Sequence, residues 1–140
     1  MNVLLIGYGA IAQEVLKRIE PEEQAQVTAV LVRKQRFVAA RTALPDTIEV
    51  VTALEDLRSL PALAAECAGH AGVSDHGEDI LRHGINLIVI SIGALADREL
   101  YDRLSVAASE GGAKLLLPAG AVAGADALAA ARVGGLSEVV

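Results

Sequence analysis

Val3-Leu4-Leu5-Ile6-Gly7-Tyr8-Gly9-Ala10-Ile11-Ala12 opens the chain, and the reading of this stretch decides the fold. Four apolar residues in a row suit a short strand buried on both faces. A glycine turn follows, and Ala10–Ile19 continues at helical spacing with Ile11, Val15 and Ile19 on one face. Strand, glycine turn and helix, in that order, form the setting in which G-x-G-x-x-A reads as a dinucleotide fingerprint, with Ala12 in place of a third glycine. Each position has a physical reason. Gly7 permits the tight turn, and Gly9 lets a pyrophosphate approach the backbone where the helix N-terminus offers unpaired N–H groups and a favourable dipole. Ala12 lets the helix pack closely on the strand. Gly-rich turns are common, so the motif alone is weak; its context makes it specific. Gly7, Gly9, Ala10 and Ile11 are the first candidate cofactor-binding residues.

Outward from this stretch the pattern alternates. Val27–Val32 reads as a strand, Arg36–Ala43 as a short helix, Ile48–Val51 as a weak strand and Ala62–Cys67 as the next strand. A helix is expected from about Val73 to His83, a strand over Leu87–Ile90, a helix over Arg98–Ser109 and a strand over Lys114–Leu117. Ala125–Arg132 reads as a helix stopped by Gly134-Gly135, and Ser137–Val140 as the start of a strand. Strands alternating with helices imply parallel βαβ units: an α/β doubly wound parallel sheet, the Rossmann fold, in one domain over residues 1–140. The final strand start is a natural entry to a second domain. A substrate-binding and catalytic domain is therefore expected after Val140, as in a truncated or partial gene product.

Composition excludes several classes. Hydrophobic residues make up 53% of the chain, and mean hydropathy is +0.44. The apolar runs are all short, far from the ~18–20 residues that cross a bilayer, so the excess is core and no membrane partner is expected. The N-terminus has no basic segment before its strand, unlike a signal peptide. A single cysteine, Cys67, excludes an internal disulfide framework and fits a cytoplasmic location. A net charge of −6 argues against nucleic acid. So do the absence of Trp and an aromatic content of 2%, which leave no base-stacking platform.

Cofactor choice in this fold is set at the end of the second strand, where an acid normally accepts the adenosine ribose hydroxyls and selects NAD. About 20 residues beyond the glycines the sequence has no acid. The strand ends instead in Arg33-Lys34, with Arg36 close by. Arginine can pair with a 2′-phosphate through charge-assisted, often bidentate hydrogen bonds. NADP is therefore the expected cofactor, NAD remains possible, and Arg33 is the candidate selector; the plainer alternative is solvated loop charge.

Ligands in this fold sit beyond the carboxyl ends of the strands. Three further loops there are rich in small residues that let a planar cofactor lie against the backbone. They are Glu66-Cys67-Ala68-Gly69-His70, Ser91-Ile92-Gly93-Ala94-Leu95, and Pro118-Ala119-Gly120-Ala121-Val122-Ala123-Gly124-Ala125-Asp126-Ala127-Leu128, which runs on to Gly134-Gly135-Leu136. Cys67, Ala68, Gly69, Ser91, Gly93 and Ala94 join the cofactor candidates. In these loops and in the opening G-x-G-x-I-A, the whole chain resembles the L-aspartate dehydrogenase family. It departs from the common pattern at Ala119, where Ser or Gly is frequent, and at Ala123, where Gly is frequent; neither change removes a reactive group.

The resemblance implies NAD(P)-dependent oxidative deamination of L-aspartate to iminosuccinate, or the reverse reductive amination. Iminosuccinate hydrolyses to oxaloacetate and ammonia, or feeds pyridine-nucleotide biosynthesis. It further implies that Ala121 contacts the cofactor through its backbone on the nicotinamide side. A second domain would supply the main catalytic histidine, the full-length protein would be a homodimer, and this chain alone would be inactive. Within the chain, His70 is the candidate to touch substrate or assist proton transfer, against the plainer reading of a loop histidine near a helix start.

Other residues have bland readings of equal or greater weight. His76 and His83 read as surface residues of their helix. Cys67 reads as a small residue packed near the cofactor rather than as a nucleophile. Glu66 either orients a neighbour or faces solvent at a strand end. Ser91 either hydrogen-bonds the nicotinamide ribose or caps the next turn. Asp126 reads as a helix cap, and Glu20-Pro21-Glu22-Glu23 as a solvated helix end. No metal site is expected, because Cys67 and His70 are too local and no second pair converges on them. Two other functions fit the residues: a non-catalytic NADP-binding sensor, and the cofactor half of another two-domain enzyme of homoserine-dehydrogenase type. The first and third of these loops argue against the latter.

Overall fold

The opening apolar run becomes a central strand because both of its faces can be covered. The computed structural model describes residues 1–19 and 24–118. β1 (Asn2–Ile6), β2 (Gln26–Leu31), β3 (Glu49–Val51), β4 (Leu63–Glu66), β5 (Asn86–Val89) and β6 (Leu115–Leu116) form one sheet in the order β3-β2-β1-β4-β5-β6. Every pairing is parallel. The connecting helices are α1 (Ala10–Arg18), α2 (Phe37–Ala43), α3 (His70–Arg82) and α4 (Arg98–Gly111). The chain runs outward from β1 to β3, then returns to the other side of β1 as β4. The topological switch, and with it the expected crevice, lies between β1 and β4.

Strand alternation divides the core into two. Leu4 and Ile6 of β1 pack with Val73, Ile80 and Leu81 of α3 and with Leu100 and Leu104 of α4. Val3 and Leu5 face the other way, against Ala12 of α1 and Ala40 of α2. Leu4, Leu5 and Ile6 are all fully buried, the signature of a strand covered on both faces. This is the doubly wound arrangement read from the sequence.

Several local readings shift. The sheet-facing side of α1 is centred on Ala12, Val15 and Leu16, while Ile11 is 50% exposed. The small Ala12, one residue further on, is what fits against β1. α3 begins at His70 rather than near Val73, because Gly69 turns with φ +83° and directs the chain straight into a helix. Apolar periodicity starts only at Val73, so the first turn was invisible to it. The short helix expected over Arg36–Ala43 is a 3-10 turn (Lys34–Arg36) followed by α2. Two further 3-10 turns, Leu54–Asp56 and Ile92–Ala96, lie in connections without periodic signal. The weak strand β3 is held by Arg41, whose guanidinium donates to the carbonyls of Leu44, Pro45 and Ile48, each at 2.7 Å. The expected helix at Ala125–Arg132, the strand start at Ser137–Val140, Asp126, Ala121 and the Glu20–Glu23 run lie outside the described residues.

Candidate functional site

The carboxyl ends of β1 to β4 are tied level by backbone hydrogen bonds. Gly7 N–H donates to Leu31 O at 2.8 Å, Val32 N–H to Val51 O at 2.9 Å, and Cys67 N–H to Ile6 O at 2.9 Å. The glycine turn, the end of β2 and the loop after β4 therefore surround one cleft of about 210 Å³. Its lining includes Gly7, Tyr8, Gly9, Arg33, Cys67 and Ala68. Arg36, not singled out as selector from the sequence, lines the same cleft.

The glycine turn has the expected geometry. Gly7 adopts φ +90°, a region that side chains rarely enter, and a Cβ there would lie 2.8 Å from Ala68 Cβ. Gly9 is different: a Cβ there would meet only Cys67 O, at 3.9 Å. The fold does not require a glycine at that position, whereas a ligand lying on the backbone would. The N-terminus of α1 has no side-chain cap and no acidic residue in its first turn. Its leading N–H groups are thus left available to an anion.

Arg33 stands immediately beyond β2, in extended conformation ahead of the 3-10 turn. Its Nη2 lies 3.8 Å from Asp75 Oδ2 on α3, and both side chains are about half exposed. No sequence signal marked Asp75. His76 beside it is half-buried rather than a surface residue. Burial lowers its pKa below the ordinary histidine value; Asp75 opposes that shift, Arg33 adds to it, and Asp79 opposes it. His83 caps the end of α3, with Nδ1 2.8 Å from Asp79 O.

Glu66 is the residue that sequence reasoning left undecided. It is completely buried, and its carboxylate binds two loops at once. Oε1 accepts from the N–H groups of Ala68 and Gly69, both at 2.6 Å. Oε2 accepts from the N–H of Ser91 at 2.8 Å. The solvent-facing alternative is thereby ruled out. Cys67 is buried as well, and burial together with the adjacent Glu66 pushes its thiol up to about 11. A thiol held protonated at neutral pH is not a nucleophile.

The loop after β5 contributes less than its sequence suggests. Ser91 caps nothing with its side chain. Its carbonyl accepts from Ala94 N–H at 3.0 Å. Ala94 thus spends its N–H inside the turn and its methyl in the core, and offers no donor to a ligand. Gly93 is exposed and lies against His70: a Cβ there would sit 2.9 Å from His70 Nε2. The structure therefore brings His70, Gly93 and Ser91 together on the far side of Glu66 from Arg33. Among the described residues no three His, Cys, Asp or Glu side chains are arranged to hold a metal ion. No described helix is long and apolar enough to cross a membrane.

Residues 7–118 match the family described as homoserine dehydrogenase, NAD binding domain. The chain is 39% identical to the L-aspartate dehydrogenase of Cupriavidus necator over 143 residues, covering 100% of this chain and 53% of that protein. It is 40% identical to the L-aspartate dehydrogenase of Ralstonia nicotianae over 144 residues, covering 100% of this chain and 53% of that protein. Among solved structures it is similar to aspartate dehydrogenase from Thermotoga maritima, with a TM-score of 0.66 and 23% identity, covering 93% of this chain and 50% of that one. That likeness establishes the fold. The chain spans about half the length of the curated relatives it matches.

Proposed function

This chain belongs to the family of NAD-binding domains of the homoserine dehydrogenase type, and from that premise we propose that it is the cofactor-binding half of an NAD(P)-dependent L-aspartate dehydrogenase. The observation that carries this reading is the identity to L-aspartate dehydrogenases along the complete chain. The cleft fits a dinucleotide on its own evidence: a glycine at position 9 that the fold itself does not need, and an uncapped helix N-terminus facing it.

On this reading the N–H groups of Gly9, Ala10 and Ile11 hold the pyrophosphate, and Gly7 shapes the turn that presents them. Arg33 pairs with the adenosine 2′-phosphate, which makes NADP the preferred cofactor and NAD an accepted one. Cys67, Ala68 and Gly69 form the wall between the two halves. Ser91 and Gly93 meet the nicotinamide ribose, and Ala121 lies on the same side. When bound, the cofactor supplies the hydride acceptor for the substrate Cα–H. His70, exposed at the start of α3 beside Gly93, assists in moving the amine proton. The main catalytic histidine belongs to a second domain after Val140, so this chain alone is inactive. The full-length protein is a cytoplasmic homodimer acting on L-aspartate or iminosuccinate.

The test is L-aspartate-dependent reduction of NADP⁺ by the full-length gene product, run beside the 140-residue chain. Turnover by the former alone supports the reading. Turnover of L-homoserine in preference to L-aspartate would refute it in favour of the substrate that the family description suggests.

A further inference from the structure

We propose that Glu66 is a positioning residue that fastens the nicotinamide-side loop of the cofactor site, after β5, to the loop after β4 that forms the wall between its two halves. The inference rests on the cofactor reading above and extends it to a residue that touches no ligand.

Glu66 ends β4, next to the topological switch. Its two oxygens face opposite ways along the crevice. Oε1 takes the N–H groups of Ala68 and Gly69, and Ala68 lines the cleft that also holds Arg33. Oε2 takes the N–H of Ser91, at the head of the loop after β5. In this fold the adenosine half lies on the β2 side of the switch and the nicotinamide half on the other. One carboxylate thus ties the nicotinamide-side loop to the wall between the two halves of the site. It is fully buried, and its burial leaves no water to replace a lost partner. Every contact is with a backbone N–H, which suits an acceptor-only carboxylate.

A Glu66→Gln change separates the two ends. The amide carbonyl can still accept from Ala68 and Gly69, but its NH₂ then faces the Ser91 N–H, donor against donor. The reverse orientation would lose two bonds to keep one. Glutamine therefore preserves the turn after β4 and releases the β5 loop, with a buried N–H left unpaired.

The experiment titrates the full chain and its Glu66→Gln variant with NADPH and with adenosine 2′,5′-bisphosphate, which carries only the adenosine half. The variant is expected to bind NADPH about tenfold more weakly, as an unpaired buried donor implies. It should bind the bisphosphate unchanged within about twofold, because the hydrogen bonds to Ala68 and Gly69, which hold Ala68 in the cleft beside Arg33, survive. Its bound nicotinamide should also show a smaller emission enhancement than with the wild type. Equal losses for both probes, or no loss for either, would overturn the proposal. If the wild type binds neither probe, the cofactor reading itself fails, and the role for Glu66 falls with it. Should the variant not fold, the wild-type amide resonances decide: those of Gly69 and Ser91 should shift together on NADPH addition, with Ser91 unmoved by the bisphosphate. A Ser91 shift as large with the bisphosphate would overturn the coupling of that loop to the nicotinamide half.

Discussion

Replacing Arg33 with alanine should weaken NADPH binding about 2- to 30-fold and leave NADH binding unchanged. The size follows from the surroundings of the guanidinium. A hydrogen bond to a charged group contributes roughly 1.5–3 kcal/mol. Arg33 is about half exposed, which places it towards the lower end. Binding a phosphate also competes with the Arg33–Asp75 pair, and such an exposed pair is worth only about 0.2–1 kcal/mol. The difference is about 0.5–2 kcal/mol, or roughly 2- to 30-fold in Kd. NADH has no 2′-phosphate and does not meet this term. Arg33→Asp should go further, repelling the phosphate and reversing the preference. Both variants can be titrated by nicotinamide fluorescence, since the chain has no Trp to add background. Raising the salt concentration should shrink both the NADPH advantage of the wild type and the NADH advantage of Arg33→Asp, since each arises between exposed charges. Equal weakening of both cofactors by Arg33→Ala would show that the residue shapes the cleft rather than reads the phosphate. No weakening of either would shift the selection to Arg36, which lines the same cleft.

Three further outcomes are expected. Gly7→Ala forces a side chain into φ +90° and against Ala68 Cβ at 2.8 Å; it should cost about 1–3 kcal/mol in urea unfolding and abolish binding of both dinucleotides. Full retention of binding would remove the turn from the site. Leu104→Ala, in the fully buried contact between α4 and α3, should cost about 2–5 kcal/mol in the same assay. A loss under about 1 kcal/mol would mean that the two helices are not packed as described. His76 titrates lower in the folded chain than its ordinary 6.5, so the unfolded chain takes up the proton first. The stability it contributes is complete above that value and is lost as pH falls through the folded one. A thermal-melting series should therefore show His76→Gln losing less stability than the wild type between neutral and mildly acidic pH, and parallel curves would refute the assignment.

The features legible in the sequence are those set by the backbone within a few residues. Gly7, Gly9 and Ala12 announce a turn, an approach and a packing contact, because each depends on the absence of a side chain rather than on a distant neighbour. The central strands were legible as well, since burial on both faces of a parallel sheet leaves uninterrupted apolar runs, whereas Ile48–Val51 read only as a weak strand. Element starts were less so. α3 begins at His70 because Gly69 and the Glu66 carboxylate together turn the chain, and neither carries an apolar period. Ile11 misled for a related reason: hydrophobicity placed it on the inner face, but only a residue as small as Ala12 fits against the central strand.

The residues that stayed ambiguous are those whose role is completed by another strand. Glu66 at the tip of β4 could face solvent or a neighbour, and local sequence contains only two of its three donors. The third, Ser91 N–H, lies 25 residues further on and arrives only when β5 pairs beside β4. Arg33 shows the same division. Its charge at the end of β2 was visible, but its counter-ion Asp75 comes from the helix after β4. The two cases share a geometry: parallel strands bring loops distant in sequence to one end of the sheet, and polar side chains at the strand tips join them. A dinucleotide spans that row of tips. The glycine turn is therefore encoded locally, while the tie that the Glu66 carboxylate makes between the loops after β4 and β5 is encoded only by the topology.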